Sequence, residues 1–333
     1  MGVGVTPPRF VCVGANQESE VVLRDLIDIG ANVVAVVTRP SDSSSGASDY
    51  VDLRGLCREA GIAVIETLNI NESHTIDEIR DMDPDYVYTL GWSQLFGDEL
   101  LALPSGYVVG SHPSPLPTGR GRAPVPWTIL EGASASAVTL FRMDVGVDAG
   151  PILMQRMFDI PAGSNVRALY DLVAKNLSAA FLRLYEMHAG GETIVEIAQD
   201  SDAATYRARR TPADGHLDFE KPAEQLDRLI RATSHPYPGA YTYYEGRLIT
   251  VWQATLEDVP AYVGSSGQIL LRAGDRLLVQ ASDRPLWIWD LTSNGQAVPV
   301  SDVRVGHLFG YRVEDTLHQL EHAVEVLGRE ANR

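Results

Sequence analysis

Asn32 to Thr38, NVVAVVT, is the stretch that most narrows what this chain can fold into. It is a nearly continuous β-branched run with no polar alternation. A strand with one wet face alternates apolar and polar residues. A run that is apolar throughout fits a strand buried on both faces, as in a parallel sheet covered by helices. The surrounding sequence agrees. Phe10 to Gly14 (FVCVG) is a shorter apolar run that ends in glycine. Between the two, Gln17 to Ile29 carries Val21, Val22, Leu23, Leu26 and Ile27, and Gly30 stops this helix. The alternation continues with a helix from Val51 to Ala60, a strand from Ile62 to Ile65 and a helix from Thr75 to Met82. A strand from Tyr86 to Leu90, a helix from Phe96 to Leu103 and a strand from Tyr107 to Ser111 follow. This spacing predicts an α/β fold with a doubly wound, mainly parallel, Rossmann-like sheet. Pro40 to Asp49 is rich in Ser, Gly and Asp and reads as a loop.

Pro124 to Glu131 reads as a helix with proline in its first turn. Ala137 to Arg142 and Pro151 to Phe158 read as a strand pair around MDVGVDAG, and Asn165 to Met187 as a long amphipathic helix ended by Gly190 and Gly191. A first domain is therefore expected over 1–195. A linker over 196–212 packs Arg207, Arg209 and Arg210 into little space. Beyond it come a helix from Pro222 to Thr233 and short strands at Ala240 to Tyr244, Leu248 to Ala254, Gly267 to Leu271, Leu277 to Gln280 and Leu286 to Leu291. Short strands with glycine turns predict a small, open, OB-like β-barrel over 213–312, followed by a C-terminal helix within 313–333.

Charge and cysteine usage exclude several classes. The formal net charge is −17, and Lys175 and Lys221 are the only lysines. Such a surface repels phosphate backbones at long range, so a nucleic-acid partner is not favoured. A local arginine patch can still bind a nucleotide diphosphate. No apolar run reaches membrane-spanning length, and the first residues lack the charged-then-apolar design of a secretory leader. Cys12 and Cys57 are too few for a disulfide framework or a zinc cluster. A cytoplasmic protein without membrane association or metal is expected. The first turn, GANQESE, is not GxGxxG, and GRGRAP carries no GK[ST]. The ligand is thus held at strand ends by other means.

The chemistry centres on Gly106 to Gly121, GYVVGSHPSPLPTGRG. His112 lies at the exit of a buried strand, and the following proline fixes the backbone as it leaves the sheet. Gly110 and His112 share a face of that strand, and Ser111 points to the other. Asp148 lies in a turn on an element able to pack beside it. A carboxylate next to an imidazole raises its pKa and fixes its tautomer, and such a pair can take a proton from an attacking amine.

SHPSPLPTGRGRAP followed by FRMDVGVDAGPIL resembles the signature of the 10-formyltetrahydrofolate-dependent formyltransferases. That family includes the methionyl-tRNA, glycinamide ribonucleotide and sugar N-formyltransferases. RRTPADGHLDFEKPAEQLDRLIRATSHPYPGAYTYYEGRLITVW is similar to the second domain of the formyltransferase acting on UDP-4-amino-4-deoxy-L-arabinose. The resemblance implies a one-carbon transferase that moves a formyl group from N10-formyltetrahydrofolate to a primary amine, His112 and Asp148 managing the protons. Leu90, Gly91, Trp92 and Leu95, with Asp144, Gly146 and Val147, would receive the folate. Ser114, Pro115 and Leu116 would shape the acceptor's approach, and Arg120, Arg209 and Arg210 would contact it. The acceptor implied is a small-molecule amine on a nucleotide-linked sugar, with methionyl-tRNA as the alternative, and a homodimer is implied by the sugar enzymes. One departure stands out. The family pattern is Asn-x-His, with the asparagine bonding the formyl oxygen or the amine, and this chain has Gly110 there. Water, Gln94 or Ser114 replaces that donor, or catalysis is weakened or altered, or the space left by Gly110 admits a bulkier acceptor.

Overall fold

In the computed structural model, the β-branched run forms a strand at Val33–Thr38 whose side chains are buried on both faces save for the partly exposed Val34. The structure describes residues 7–41 and 50–310, with Leu317, Leu320 and Val324 beyond them. The loop expected over Pro40 to Asp49 lies outside the described residues past Ser41. The C-terminal helix does too, apart from those three helical positions. The chain divides into two compact units, Met1–Arg210 and Thr211–Arg333.

The first unit is built on a seven-stranded sheet. Its strands are β1 (Phe10–Gly14), β2 (Val33–Thr38), β3 (Ala63–Glu66), β4 (Tyr86–Gly91), β5 (Tyr107–His112), β7 (Ala135–Arg142) and β8 (Ile152–Asp159); β6 (Arg120–Gly121) and β9 (Tyr206–Arg207) form a separate ribbon. The order is β3-β2-β1-β4-β5-β7-β8, with the first five strands parallel and β7 and β8 antiparallel. On one face, Phe10 and Tyr88 pack against Tyr185 and Phe181 of the long helix at Val166–Ala189. Helix α1 (Gln17–Asp28) lies on the same side, packed on that long helix. The opposite face presents Val11, Val13, Ala35, Val37, Val87 and Val108 to Ile70, Ile79, Phe96 and Leu100.

Local side chains set several helix ends. Asn16 caps α1 by accepting from the Ser19 amide at 2.9 Å. The helix expected from Val51 starts only at Arg54, forming α2 (Arg54–Ala60), because the Asp52 carboxylate holds the Arg54 amide at 3.0 Å and its guanidinium at 2.6 Å. Helix α3 runs Ser73–Asp81. The helix expected over Phe96 to Leu103 contracts to α4 (Asp98–Leu101), since Asn71 Oδ1 takes the Gly97 amide at 2.7 Å and ties that segment to the preceding loop. Helices α5 (Pro124–Leu130) and α6 (Val166–Ala189) follow.

Local pattern gave no sign of β6 and β9. They pair in parallel, with Arg120 N donating to Thr205 O at 2.9 Å and Arg122 N to Arg207 O at 3.0 Å. The segment read as a linker is therefore, up to Arg210, built into the first unit.

The second unit packs α7 (Ala223–Thr233) on an antiparallel sheet of β10 (Ala240–Tyr244), β11 (Arg247–Thr255), β12 (Ile269–Ala273), β13 (Arg276–Gln280), β14 (Pro285–Ser293) and β15 (Gln296–Ala297). The order is β10-β11-β14-β13-β12, with β15 on β14. Leu226 and Ile230 of the helix meet Ile249, Val251, Leu277, Val279 and Ile288 in its core. The strand order and the small size fit an OB-like domain.

Candidate active site

In open α/β sheets, ligands bind outside the carboxyl ends of the strands where the winding reverses. Here the reversal falls between β1 and β4. The two strands meet at Gly14 and Gly91, which are ladder partners. Gly91 has φ +148°, and a Cβ on it would lie 2.6 Å from the Asn16 side chain. Glycine at 91 thus lets the turn after β4 close on the helix cap after β1. Nothing in the local sequence around Asn16 marked it as part of this edge.

His112 ends β5 one strand further on, buried at 5% exposure. Its Nε2 lies 2.8 Å from the Gly119 carbonyl. A carbonyl only accepts, so Nε2 carries the hydrogen and Nδ1 keeps its lone pair. Nδ1 is 3.6 Å from Asp148 Oδ2, and the same oxygen accepts the Gly121 amide at 2.8 Å. Burial pushes His112 below the ordinary imidazole value; Asp148 and the Gly119 bond push upward, Arg207 downward, and burial wins. The carboxylate does raise this histidine, as expected, but the net shift is downward because burial outweighs it. Desolvating an imidazolium costs more here than a carboxylate 3.6 Å away returns. The result is a neutral base whose free nitrogen faces the carboxylate that stabilises it once protonated.

The loop joining these two residues is held from a distance. Gln199 Nε2 donates to the Asp148 and Gly150 carbonyls at 2.9 and 2.6 Å, and its Oε1 accepts from Arg120 Nε and Nη2. Arg120 is buried and its Nη1 reaches Tyr206 Oη at 3.1 Å, so these bonds commit its guanidinium to the scaffold. Arg207 packs against Gly119, donating to the Glu131 carboxylate at 2.6 Å and to Pro124 O at 3.0 Å. Sequence reasoning did not find Gln199, and it took Arg207 only as part of an arginine-rich linker.

The side chains offered as substitutes for the missing asparagine are engaged elsewhere. Gln94 accepts the Ile70 amide and Trp92 Nε1 and donates to Leu68 O. Ser114 is fully buried and its hydroxyl points at the Thr118 and Gly119 carbonyls. The space beside Gly110 is not open to a bulkier acceptor either. A Cβ there would lie 2.6 Å from Phe141 Cζ and 2.8 Å from Met143 Cγ.

Among the residues expected to receive the donor, Leu90 is buried and Trp92 half-buried, with the Arg39 guanidinium 5.5 Å from its ring centroid. Leu95 is 60% exposed and Val147 40% exposed. Asp144 accepts the Gly146 amide at 2.8 Å and so shapes the turn leading to Asp148. Leu116 is buried and Pro115 half-buried beside Ser114. Arg210 lies over the Trp127 ring at 5.3 Å and Arg209 is exposed. Among the described residues, no group of three or more His, Cys, Asp or Glu side chains could hold a metal ion, and no helix is long and apolar enough to cross a membrane.

Comparisons with known proteins identify the family. The formyl transferase model matches residues 14–184, and the formyl transferase C-terminal domain model matches residues 209–307. A methionyl-tRNA formyltransferase of Caldanaerobacter subterraneus is 29% identical over 308 residues, covering 90% of this chain and 97% of that protein. One of Citrifermentans bemidjiense is 29% identical over 307 residues, covering 91% and 95%. The N-formyltransferase of Helicobacter canadensis, solved with folinic acid and dTDP-3-aminofucose, superposes with a TM-score of 0.65 at 18% identity, covering 88% of this chain and all of that one. The two family models together describe a one-carbon transferase with a catalytic unit and a C-terminal unit. The chain belongs to the formyl transferase family.

Proposed function

We propose that the chain moves a formyl group from N10-formyltetrahydrofolate to a primary amine. The observation that carries this is the neutral, buried His112 with Nδ1 facing Asp148, inside the matched catalytic unit. A folate suits the neighbouring edge. Its flat ring needs apolar contact and backbone polar groups, and the turn after β4 offers Leu90, Trp92 and Leu95 together with the Gly91 backbone. His112 Nδ1 takes the proton that the amine loses on attack, and Asp148 faces the imidazolium formed. Ser114, Pro115 and Leu116 line the acceptor side of His112, and Arg209 and Arg210 lie at the end of the unit as candidate anion contacts.

The acceptor reading best supported by the relatives is methionyl-tRNA. The methionyl-tRNA formyltransferases match both units over nearly their whole length. A second reading, a nucleotide-linked amino sugar, is favoured by the net charge of −17, because an acidic surface repels a polyanionic tRNA at long range more than a small nucleotide. The test is incubation with N10-formyltetrahydrofolate and either charged initiator tRNA or a panel of amino-sugar nucleotides, read by mass spectrometry for one added formyl group. Transfer to neither, with no folate binding by calorimetry, rejects the proposal.

A further inference from the structure

Two residues before His112, on the same face of β5, the strand has an apolar neighbour. Gly110 is the ladder partner of Phe141 and shares with His112 one face of β5. Phe141 is buried at 3% exposure, and Met143 packs against the core with its Sδ 3.6 Å from the Thr89 hydroxyl. The overlap of a Cβ at 110 with Phe141 Cζ and Met143 Cγ shows that a phenyl ring and a thioether chain fill the place two residues before the histidine.

We propose that Phe141, seated on Gly110, is a positioning residue that keeps water off the flank of His112, so that the formyl carbon goes to an amine and not to water. This rests on the formyl-transfer reading of the site. Two nucleophiles compete for one carbon. With an amine, a C–N bond forms to the acceptor, the bond from the formyl carbon to N10 breaks, and the proton lost by the amine is balanced by one gained at N10. With water, a C–O bond forms and the same bond to N10 breaks, one of the water's protons going to N10 and the other to solvent, giving formate and tetrahydrofolate. The base His112 serves either route, so selection rests on which nucleophile can sit beside it. A bound water needs two to four polar partners. The ring of Phe141 offers none, and the Met143 thioether already faces a hydroxyl. An amide at 110 would supply both a donor and an acceptor.

The experiment compares full-length wild type, Phe141→Ala, the milder Phe141→Val, Gly110→Asn and the double variant Gly110→Asn/Phe141→Ala. Opening the flank is expected to raise amine-independent formate release from N10-formyltetrahydrofolate by on the order of tenfold in Phe141→Ala, and less in Phe141→Val. Gly110→Asn alone is expected to lower Tm by about 5 °C through overlap with the ring. The double variant is expected to sit above the Tm given by adding the two single losses. The pH midpoint of formate release should rise in Phe141→Ala, because water reaches an imidazole whose charged neighbours, Asp148 and Arg207, are unchanged. Unchanged formate release in both folded Phe141 variants overturns the proposal, as does a Gly110→Asn protein with wild-type Tm. No tetrahydrofolate from any of the five proteins, with or without amine, overturns the transfer reading instead. The Tm coupling needs no donor and tells the two failures apart.

Discussion

His188 provides a test of the first unit that can be worked to a number. It lies near the end of α6, buried, with Nδ1 2.6 Å from Tyr88 Oη and Nε2 2.7 Å from Tyr107 Oη. The Tyr86 ring stacks on it at 3.7 Å. A neutral imidazole has one donor and one acceptor nitrogen, so one tyrosine accepts and the other donates. Protonation makes both nitrogens donors and leaves a buried phenol hydrogen to be rehoused. Burial alone pushes the histidine from 6.5 down to about 4. The sign follows. The folded state binds this proton more weakly than the unfolded chain, so the stability linked to His188 is complete above pH 6.5 and declines as pH falls toward 4. Between pH 7 and 5 the linkage gives a loss of about 2 kcal/mol, on 1.36 kcal/mol per pKa unit. His188→Gln keeps a donor and an acceptor but does not titrate. Hydrogen exchange of the β1 and β4 amides at both pH values, converted to opening free energies, reads the local stability directly. Wild type should lose about 2 kcal/mol more than the variant over that interval. Equal losses would refute the reasoning, and His112, present in both proteins, cancels from the comparison.

Further outcomes follow from the site. The pH midpoint of kcat/KM should lie below the usual imidazole range, with activity falling as pH drops through it; Asp148→Asn should move that midpoint lower still, since the carboxylate raises His112. His112→Gln should cost on the order of 10²–10⁴ in transfer rate, measured in single turnovers with saturating donor. Arg207→Ala should destabilise the first unit by about 1–3 kcal/mol in urea unfolding, by removing the Glu131 pair and the Pro124 bond. Arg207→Lys should not recover it, because a point charge cannot make the paired contact to Glu131. In the second unit, Gly239 has φ +91° and a Cβ there would lie 2.3 Å from Thr250 Cγ2. Gly239→Ala should therefore cost about 2–4 kcal/mol, read as a lower urea midpoint.

The sequence by itself determined what depends on short-range periodicity. NVVAVVT declared a doubly buried strand, and the alternation around it placed β1 to β5 to within a few residues, because apolar runs and helix caps are local signals. That His112 sits at the exit of β5 was legible for the same reason, whereas its pairing with Asp148 rested on the resemblance of the two motifs to a family. Tertiary structure alone decided the rest. Nothing near Gly110 says that Phe141, 31 positions on, fills its place, or that Gln94 and Ser114 are already bonded elsewhere. Arg120 reads as an acceptor contact until Gln199 and Tyr206, about 80 positions away, are seen to hold it. The sign of the His112 shift belongs here too. Sequence pairs a histidine with a carboxylate and predicts a rise. Burial by residues brought together from the whole sheet decides for a fall, because desolvation sums over every neighbour whereas the ion pair is a single contact.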